Sequence, residues 1–469
     1  MRHRHRGTAM LTGGAIRGFA ETGGDSAALL HPPRPEPFAS ILPWRILPAA
    51  MRNPIAAWPR ALFEGTSWRP PFPGAPVFLT DPAAIRAAMV EHAEDFRHGD
   101  LWRRVMHPAW GEGLVAAEGA EWRWQRRAAA PAFRAAQMAA LAPRMRAAAE
   151  AALARWRSAA QPLDIAAETG RIAFDIILDT VLSGGEDFER TETEARVGAF
   201  LNQLEYRRLS YLLLPDRAHR GKVNKPAPEA ALLRADVDRM IARRRAAAPR
   251  GDLVDLLLDA TDPETGRPMD DGLLRDNLLG FILAGHETSA VTLGWALWLA
   301  AAHAPTARRL RAEVETVTGG GPVEPRHLEG LAFTRQVIQE TLRLYPPGYQ
   351  LTRVCTRDTQ VNGRRIRAGT RILIPVYALH RHRGHWRDPD AFDPDRFAPG
   401  VPVPDRHLYM PFGAGPRVCL GAAFAMTELV VALATLVRAA RFTPLSAPFP
   451  IAGTSIRPDG GLPMRVEFA

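Results

Sequence analysis

Residues 270–303 leave this chain few ways to fold. Asp270 or Asp271 can cap a helix that runs to about His303, roughly nine turns at about 3.6 residues each. From Leu278 to Ala302 the run is almost wholly apolar, as a membrane span would be, yet His286 and Glu287 lie well inside it. Charged and titratable groups at that depth are costly in lipid, so the segment is expected to be a buried helix through a large protein. The remainder can enclose it: of 469 residues, 46% are hydrophobic and 23% charged, the balance of a globular protein with a large core. Nothing marks a place to divide the chain. One domain is expected over residues 46–469, after a loose leader, residues 1–45, that has no periodic pattern.

The formal charge of +10 could suit nucleic acid, an acidic protein or an anionic surface. The basic residues are nearly all arginine, Lys222 and Lys225 being the only lysines, and they are spread without aromatic interleaving. A nucleic-acid partner is therefore not expected. Two cysteines, Cys355 and Cys419, are too few for a zinc site or a disulfide scaffold, which fits a reducing cytoplasm. The basic start M-R-H-R-H-R imitates a signal peptide, but glycines and Arg17 break the next stretch before an apolar run develops, and no membrane anchor stands near it.

The chemistry is concentrated in Phe412 to Gly421, F-G-A-G-P-R-V-C-L-G, which leads into an apolar helical run, Ala422 to Val437. A cysteine just before a helix faces unpaired N–H groups and the positive end of the helix dipole, so Cys419 is expected to be a thiolate. Gly413, Gly415 and Gly421 let the backbone turn sharply and approach something flat and bulky. A thiolate meeting a flat cofactor suggests haem iron. The run resembles the haem-ligand loop of the cytochrome P-450 family of haem-thiolate monooxygenases, F-x-x-G-x-R-x-C-x-G, with Phe412, Gly415, Arg417, Cys419 and Gly421 in all five places.

The resemblance extends in family order from about Val77 to Ala469. Trp122 and Arg126, one helical turn apart and followed by Pro131 and Phe133, resemble the pattern that bonds the haem propionates in the family. Arg353 and Arg417 stand where the family places further propionate-binding arginines. Inside the long helix, Ala284-Gly285-His286-Glu287-Thr288 resembles the family's distal motif, small-Gly-x-acid-Thr. A hydroxyl bonding back to the carbonyl four residues earlier loosens that turn, and Gly285 leaves room beside it for dioxygen and water. His286-Glu287 also begins the zinc pattern H-E-x-x-H, but position 290 is Ala290 and the second ligand is missing.

Glu340 and Arg343 fit the family's E-x-x-R and Arg396 its third partner, a structural triad expected to hold the cysteine loop. Glu94/Arg97, Glu168/Arg171, Glu205/Arg208 and Glu264/Arg267 have the same spacing, so only position in the chain singles out the first pair. His380, His382 and His385 lack a thiolate neighbour and are not expected to hold metal. Further expectations are a strand at Val77–Thr80, a helix capped by Asp81 and reaching about Glu94, and helices over 139–159, 165–182, 194–214 and 228–247. Residues 215–226 are a polar, turn-rich loop that the resemblance would make the lid of the substrate entrance; a hairpin is expected about Asn362-Gly363, a strand over Arg371–Tyr377 and a terminal hairpin over Gly453–Phe468.

The resemblance implies a mainly α fold, one helical domain with small β-sheets. It implies a monooxygenase that inserts one oxygen atom of dioxygen into an apolar substrate such as a fatty acid, terpene or steroid. Cys419 would be the axial ligand of haem b, with Thr288 and Glu287 delivering protons. Candidate substrate contacts are 101–115, 199–213, 281–288, 348–352 and 453–456. With no flavin, iron-sulfur or nucleotide motif in the chain, electrons from NAD(P)H would come through a reductase and a ferredoxin- or flavodoxin-type carrier, for which Arg123 and Arg127 form a candidate basic docking patch. A peroxygenase or isomerase, or a haem-thiolate sensor without turnover, are the alternatives.

Overall fold

A computed structural model of the chain describes residues 28–39, 43–71, 74–99, 102, 107, 110–181, 190, 192–199, 228–250 and 252–468. Its longer helices are α1 (Pro43–Arg52), α2 (Gly119–Ala129), α3 (Ala142–Arg157), α4 (Ile165–Thr180), α5 (Pro228–Ala246), α6 (Asp271–Ala302), α7 (Ala304–Thr318), α8 (Ala332–Leu344) and α9 (Ala422–Ala439). The expected lid-like connection, and the expected helix beyond residue 199, lie outside the described residues.

Helix α6 is the axis of the molecule. Asp270 caps it, accepting a hydrogen bond from the Leu273 N–H, and the helix runs unbroken for 32 residues until His303 turns extended. It packs against α4, α5, α8 and α9. Trp295 and Trp298 are fully buried, and their indole N–H groups reach the Ile456 and Ser446 carbonyls, each at 3.0 Å, so the aromatic area is buried without stranding a donor. Helix α9 is the one described helix long and apolar enough to cross a membrane, but it is a core helix, packed on α3, α6, α7 and α8.

The sheets stand at the margins. Strands β1 (Ser67–Trp68), β2 (Val77–Leu79), β3 (Phe96–Arg97), β5 (Leu351–Cys355) and β8 (Arg371–Ile374) form one sheet, ordered β1-β2-β8-β5-β3; β4 (Leu163–Asp164), β9 (Ala440–Pro444) and β12 (Pro463–Phe468) form another, with β12 central. Strands β6 (Thr359–Val361) and β7 (Arg364–Ile366) make the expected hairpin, and Asn362 and Gly363 take the positive φ values, 45° and 75°, that a tight hairpin turn demands.

Four expectations are corrected. The helix begun by Asp81, whose carboxylate accepts from the Ala83 and Ala84 N–H groups, gives way after Arg86 to a π-type turn, 87–91, in which the Met89 carbonyl lies against Gly415 of the cysteine loop. The strand at Arg371 ends at Ile374, since Pro375 cannot donate to a ladder. Strand β11 (Ile456–Pro458) pairs backwards with β10 (Pro450–Ala452), whereas β12 pairs with β4 and β9, so 453–468 is not one hairpin. Finally, residues 28–38 are no loose leader: the Phe392 N–H donates to the Leu30 carbonyl at 2.8 Å, Phe38 to Trp58 at 2.7 Å, the Tyr345 hydroxyl to Pro33 at 3.3 Å, and Arg34 pairs with Asp390 at 3.1 Å. Prolines 32, 33, 35 and 37 keep this segment from forming a helix, so it docks with no periodicity to read.

Candidate functional site

The cysteine loop is held from beneath by a buried relay. Arg343 and Glu340 are both wholly inside the protein and bonded twice, Nε to Oε2 and Nη2 to Oε1, each at 2.7 Å. Arg343 spends its other donors on the carbonyls of His380, Pro389 and Ala391 at 2.7–2.8 Å, and Arg396 approaches Glu340 at 3.4 Å while bonding the Arg387 and Asp388 carbonyls. His380 passes the constraint on, its Nδ1 facing the Arg343 carbonyl at 3.2 Å and its Nε2 accepting from the Met410 N–H at 2.9 Å. Burial, and then the neighbouring Arg343, push His380 down to about 3, so it stays neutral and keeps that acceptor. By contrast the Arg171 of Glu168/Arg171 is 54% exposed, which separates the structural pair from its look-alike. Among the described residues no group of histidines, cysteines and carboxylates is arranged to hold a metal.

From Met410 the chain turns through Phe412 and Gly413 to Cys419, whose N–H donates to the Phe412 carbonyl at 2.9 Å. Gly413 and Gly415 have φ of 78° and 72°. At Gly415 the close approach is to protein, since a Cβ there would lie 1.9 Å from the Met89 carbonyl oxygen, whereas a Cβ on Gly413 or Gly421 would meet nothing nearer than 3.9 Å. Gly285 is likewise not spared for small molecules, since its Cβ would strike Ile177 of α4 at 2.6 Å. Gly421 is the N-cap of α9, and its N–H reaches Cys419. The protein packed around the loop nevertheless pushes the Cys419 thiol up, against the opposing pull of that N–H and of Arg126, although one side of the side chain stays open to solvent. The helix terminus alone does not offset this rise. The side chain is accessible, whereas Cys355 is buried.

Four predicted residues converge here from three parts of the chain. Arg126, on the last turn of α2, is near enough to Cys419 to sense its charge. Arg353, on β5, and Arg417, two residues before the cysteine, lie close enough to repel one another, and Trp122 lies 4.4 Å beneath the Arg417 guanidinium. Burial is the largest influence on all three arginines and lowers each, Arg353 to about 10. Arg417 is paired, with Glu118 at 2.7 Å and the Ala117 carbonyl at 2.9 Å, but among the described residues no carboxylate pairs with Arg126 or Arg353. Desolvated guanidinium groups without counter-charges are costly unless an anion joins them. Three cations against Glu118 leave two positive charges, the complement of the two carboxylates of protoporphyrin, so the donor set fits haem b.

On α6, Ala284 and Thr288 are exposed although Ile282, Leu283, Ser289 and Ala290 around them are buried. The Thr288 hydroxyl donates to the Ala284 carbonyl at 2.7 Å, as expected. Glu287 accepts a hydrogen bond from Ser455 at 2.6 Å, from the turn between β10 and β11. Ser289 bonds Glu428 of α9 at 2.6 Å, which fixes the Thr288 turn beside α9 about 9 Å along its axis from the cysteine end. Glu118, Ser455 and Glu428 were not legible as site residues, because their partners lie 299, 168 and 139 residues away. Of the docking pair, Arg123 is exposed, but Arg127 is committed to Asp262 at 2.9 and 3.1 Å and to Glu264 at 3.1 Å.

An accessible cysteine at a helix start, a cradle short of two negative charges and a hydroxyl-bearing turn on a buried helix define a haem-thiolate monooxygenase of the cytochrome P-450 class. The family's sequence profile matches residues 72–459, and the chain belongs to the cytochrome P-450 family. Cyclooctatin synthase of Streptomyces melanosporofaciens is 33% identical over 392 residues, 82% of this chain and 83% of that protein. Cyclooctat-9-en-7-ol 5-monooxygenase of the same organism is 34% identical over 71% of this chain and 73% of its own length, and cytokinin hydroxylase of Arabidopsis thaliana 31% identical over 78% and 73%. The cofactor of the family is haem b, reduced by NAD(P)H through a reductase.

Proposed function

We propose that the protein oxygenates an apolar, hydrocarbon-rich substrate, of the fatty-acid, terpene or steroid kind, at a haem held by Cys419. Arg126, Arg353, Arg417 and Trp122 would hold the propionates, and Phe412, Gly413, Gly415 and Gly421 would shape the loop around the ligand. The observation that carries this reading is the desolvated cradle, two positive charges in excess, beside an accessible cysteine. Thiolate-ligated haem supplies the O–O cleavage chemistry. The apolar substrate class is supported by a relative named for oxidising an unsaturated alcohol.

The chain's own contribution is proton handling. Thr288 holds a proton at Oγ1, directed to the Ala284 carbonyl, on the exposed face that it shares with the small side chain of Ala284. Ser455 donates to Oε1 of Glu287 and orients the half-exposed carboxylate that would exchange protons with solvent. General acid–base delivery of this kind is worth on the order of a hundredfold to ten-thousandfold in rate. It also favours a monooxygenase over a peroxygenase, because peroxide brings its own protons. Glu340, Arg343 and Arg396 act structurally, through His380, on the loop.

Electrons would come from a separate ferredoxin- or flavodoxin-type carrier, for which Arg123 remains a docking cation. Free thiols at both described cysteines suit a cytoplasmic location. The test is the spectrum of the reduced, carbon-monoxide-bound holoenzyme beside Cys419→Ser. A strongly red-shifted main band, lost in the variant, is the expected result; an unshifted band in the wild type would end the haem-thiolate reading.

A further inference from the structure

Glu118 is the N-cap residue of α2, with the extended backbone, φ −132° and ψ 162°, that lets an acidic side chain bond the first-turn N–H groups. It makes no such bond. Its carboxylate is turned away instead: Oε2 accepts from Arg417 Nη2 at 2.7 Å, and Oε1 accepts from the backbone N–H of His98 at 2.8 Å. Glu118 also acts on Arg353, where its charge partly offsets the effects of burial and of Arg417. The carboxylate does not cap α2 but puts one negative charge beside Arg417 and Arg353. The side chain is only 24% exposed and Arg417 17%, so solvent screens this charge weakly.

We propose that Glu118 is the internal counter-charge of the haem cradle: it orients Arg417 and, by cancelling one of three positive charges, lowers the haem's reduction potential. This rests on the haem-thiolate reading above. Reduction of ferric to ferrous haem adds one electron, supplied by NAD(P)H through the reductase, and a nearby negative charge opposes it whatever the path of the electron. The distance is bounded by the chain. Arg417 lies two residues from Cys419, at most about 7 Å of backbone, and Glu118 touches the Arg417 guanidinium. With the lengths of the two side chains added, its carboxylate is within about 20 Å of the sulfur, where a unit charge at an effective dielectric of about 20 changes an equilibrium roughly fourfold.

The experiment is a spectroelectrochemical titration of the holoenzyme and of Glu118→Gln, which keeps the shape and a hydrogen-bond acceptor but not the charge. At a fixed potential the ferrous-to-ferric ratio should rise at least about fourfold in Glu118→Gln, a positive shift of about 36 mV for one electron. Glu118→Asp, which keeps the charge, should stay near the wild type. Transfer of haem to apomyoglobin is followed in parallel. Equal potentials in Glu118→Gln and wild type, or a Glu118→Gln protein that simply loses its haem faster with no change of potential, would overturn the proposal and leave Glu118 a structural brace. An unshifted carbon-monoxide band in the wild type would instead sink the haem-thiolate reading, so the two failures are told apart.

Discussion

Glu428 gives the sharpest quantitative test of how this interior is built. It lies on α9, fully buried, with Oε2 accepting the Ser289 hydroxyl at 2.6 Å and Oε1 without a hydrogen-bond partner among the described residues. Burial pushes its carboxyl up to about 8, against the weaker opposing effect of Ser289. In the unfolded chain a glutamate titrates near about 4.3. Between those values the unfolded state has released the proton that the folded state keeps, so the folded state binds more protons and stability falls as pH rises. The slope is about 1.4 kcal/mol per pH unit, which over the roughly 3.7 units of the window amounts to about 5 kcal/mol, with no further loss above about pH 8. Glu428→Gln cannot titrate and should be free of this penalty. The assay is the difference in unfolding free energy between Glu428→Gln and wild type at pH 5, 6, 7 and 8, in which the titration of other groups cancels. The variant should gain on the wild type steadily across the series. A difference that stays constant with pH would refute the reasoning, since Glu428 would then ionise in the fold as readily as in water.

Two further outcomes are expected. Arg343→Ala strips Glu340 of its bidentate partner and three carbonyls of their donors inside a dry core, and should cost about 3–5 kcal/mol, seen as a lowered unfolding midpoint and poor haem retention; an unchanged midpoint would remove the triad from the support of the loop. Thr288→Ala should leave the red-shifted carbon-monoxide band intact while diverting reductant from product to peroxide, and equal coupling in variant and wild type would dismiss Thr288 as the proton carrier.

Much of the fold was readable because it obeys local rules. The Asp270 and Asp81 caps, the unbroken run of α6 and the Asn362-Gly363 turn depend on residues within a few positions of one another, and each stands as expected. The E-x-x-R spacing was different: it occurs repeatedly, and only burial shows that Glu340 and Arg343 are a core pair while Arg171 reaches solvent. The glycines show the limit of reasoning from composition. That Gly415 needs a left-handed turn is implied by its surroundings in sequence, but that its missing Cβ admits the Met89 carbonyl, and that Gly285 admits Ile177, depends on which segments the fold lays side by side.

The sequence by itself determined the class of chemistry, because a cysteine before a helix, arginines for carboxylates and an acid–threonine pair are required by bonding at single atoms and leave a mark at fixed short spacings. Only the tertiary structure decided the charges those atoms experience. Glu118 on Arg417, Ser455 on Glu287, Ser289 on Glu428 and Arg126 near Cys419 all join residues far apart in the chain. Electrostatic energy depends on distance and solvent exclusion in space, and neither is written in the order of the residues.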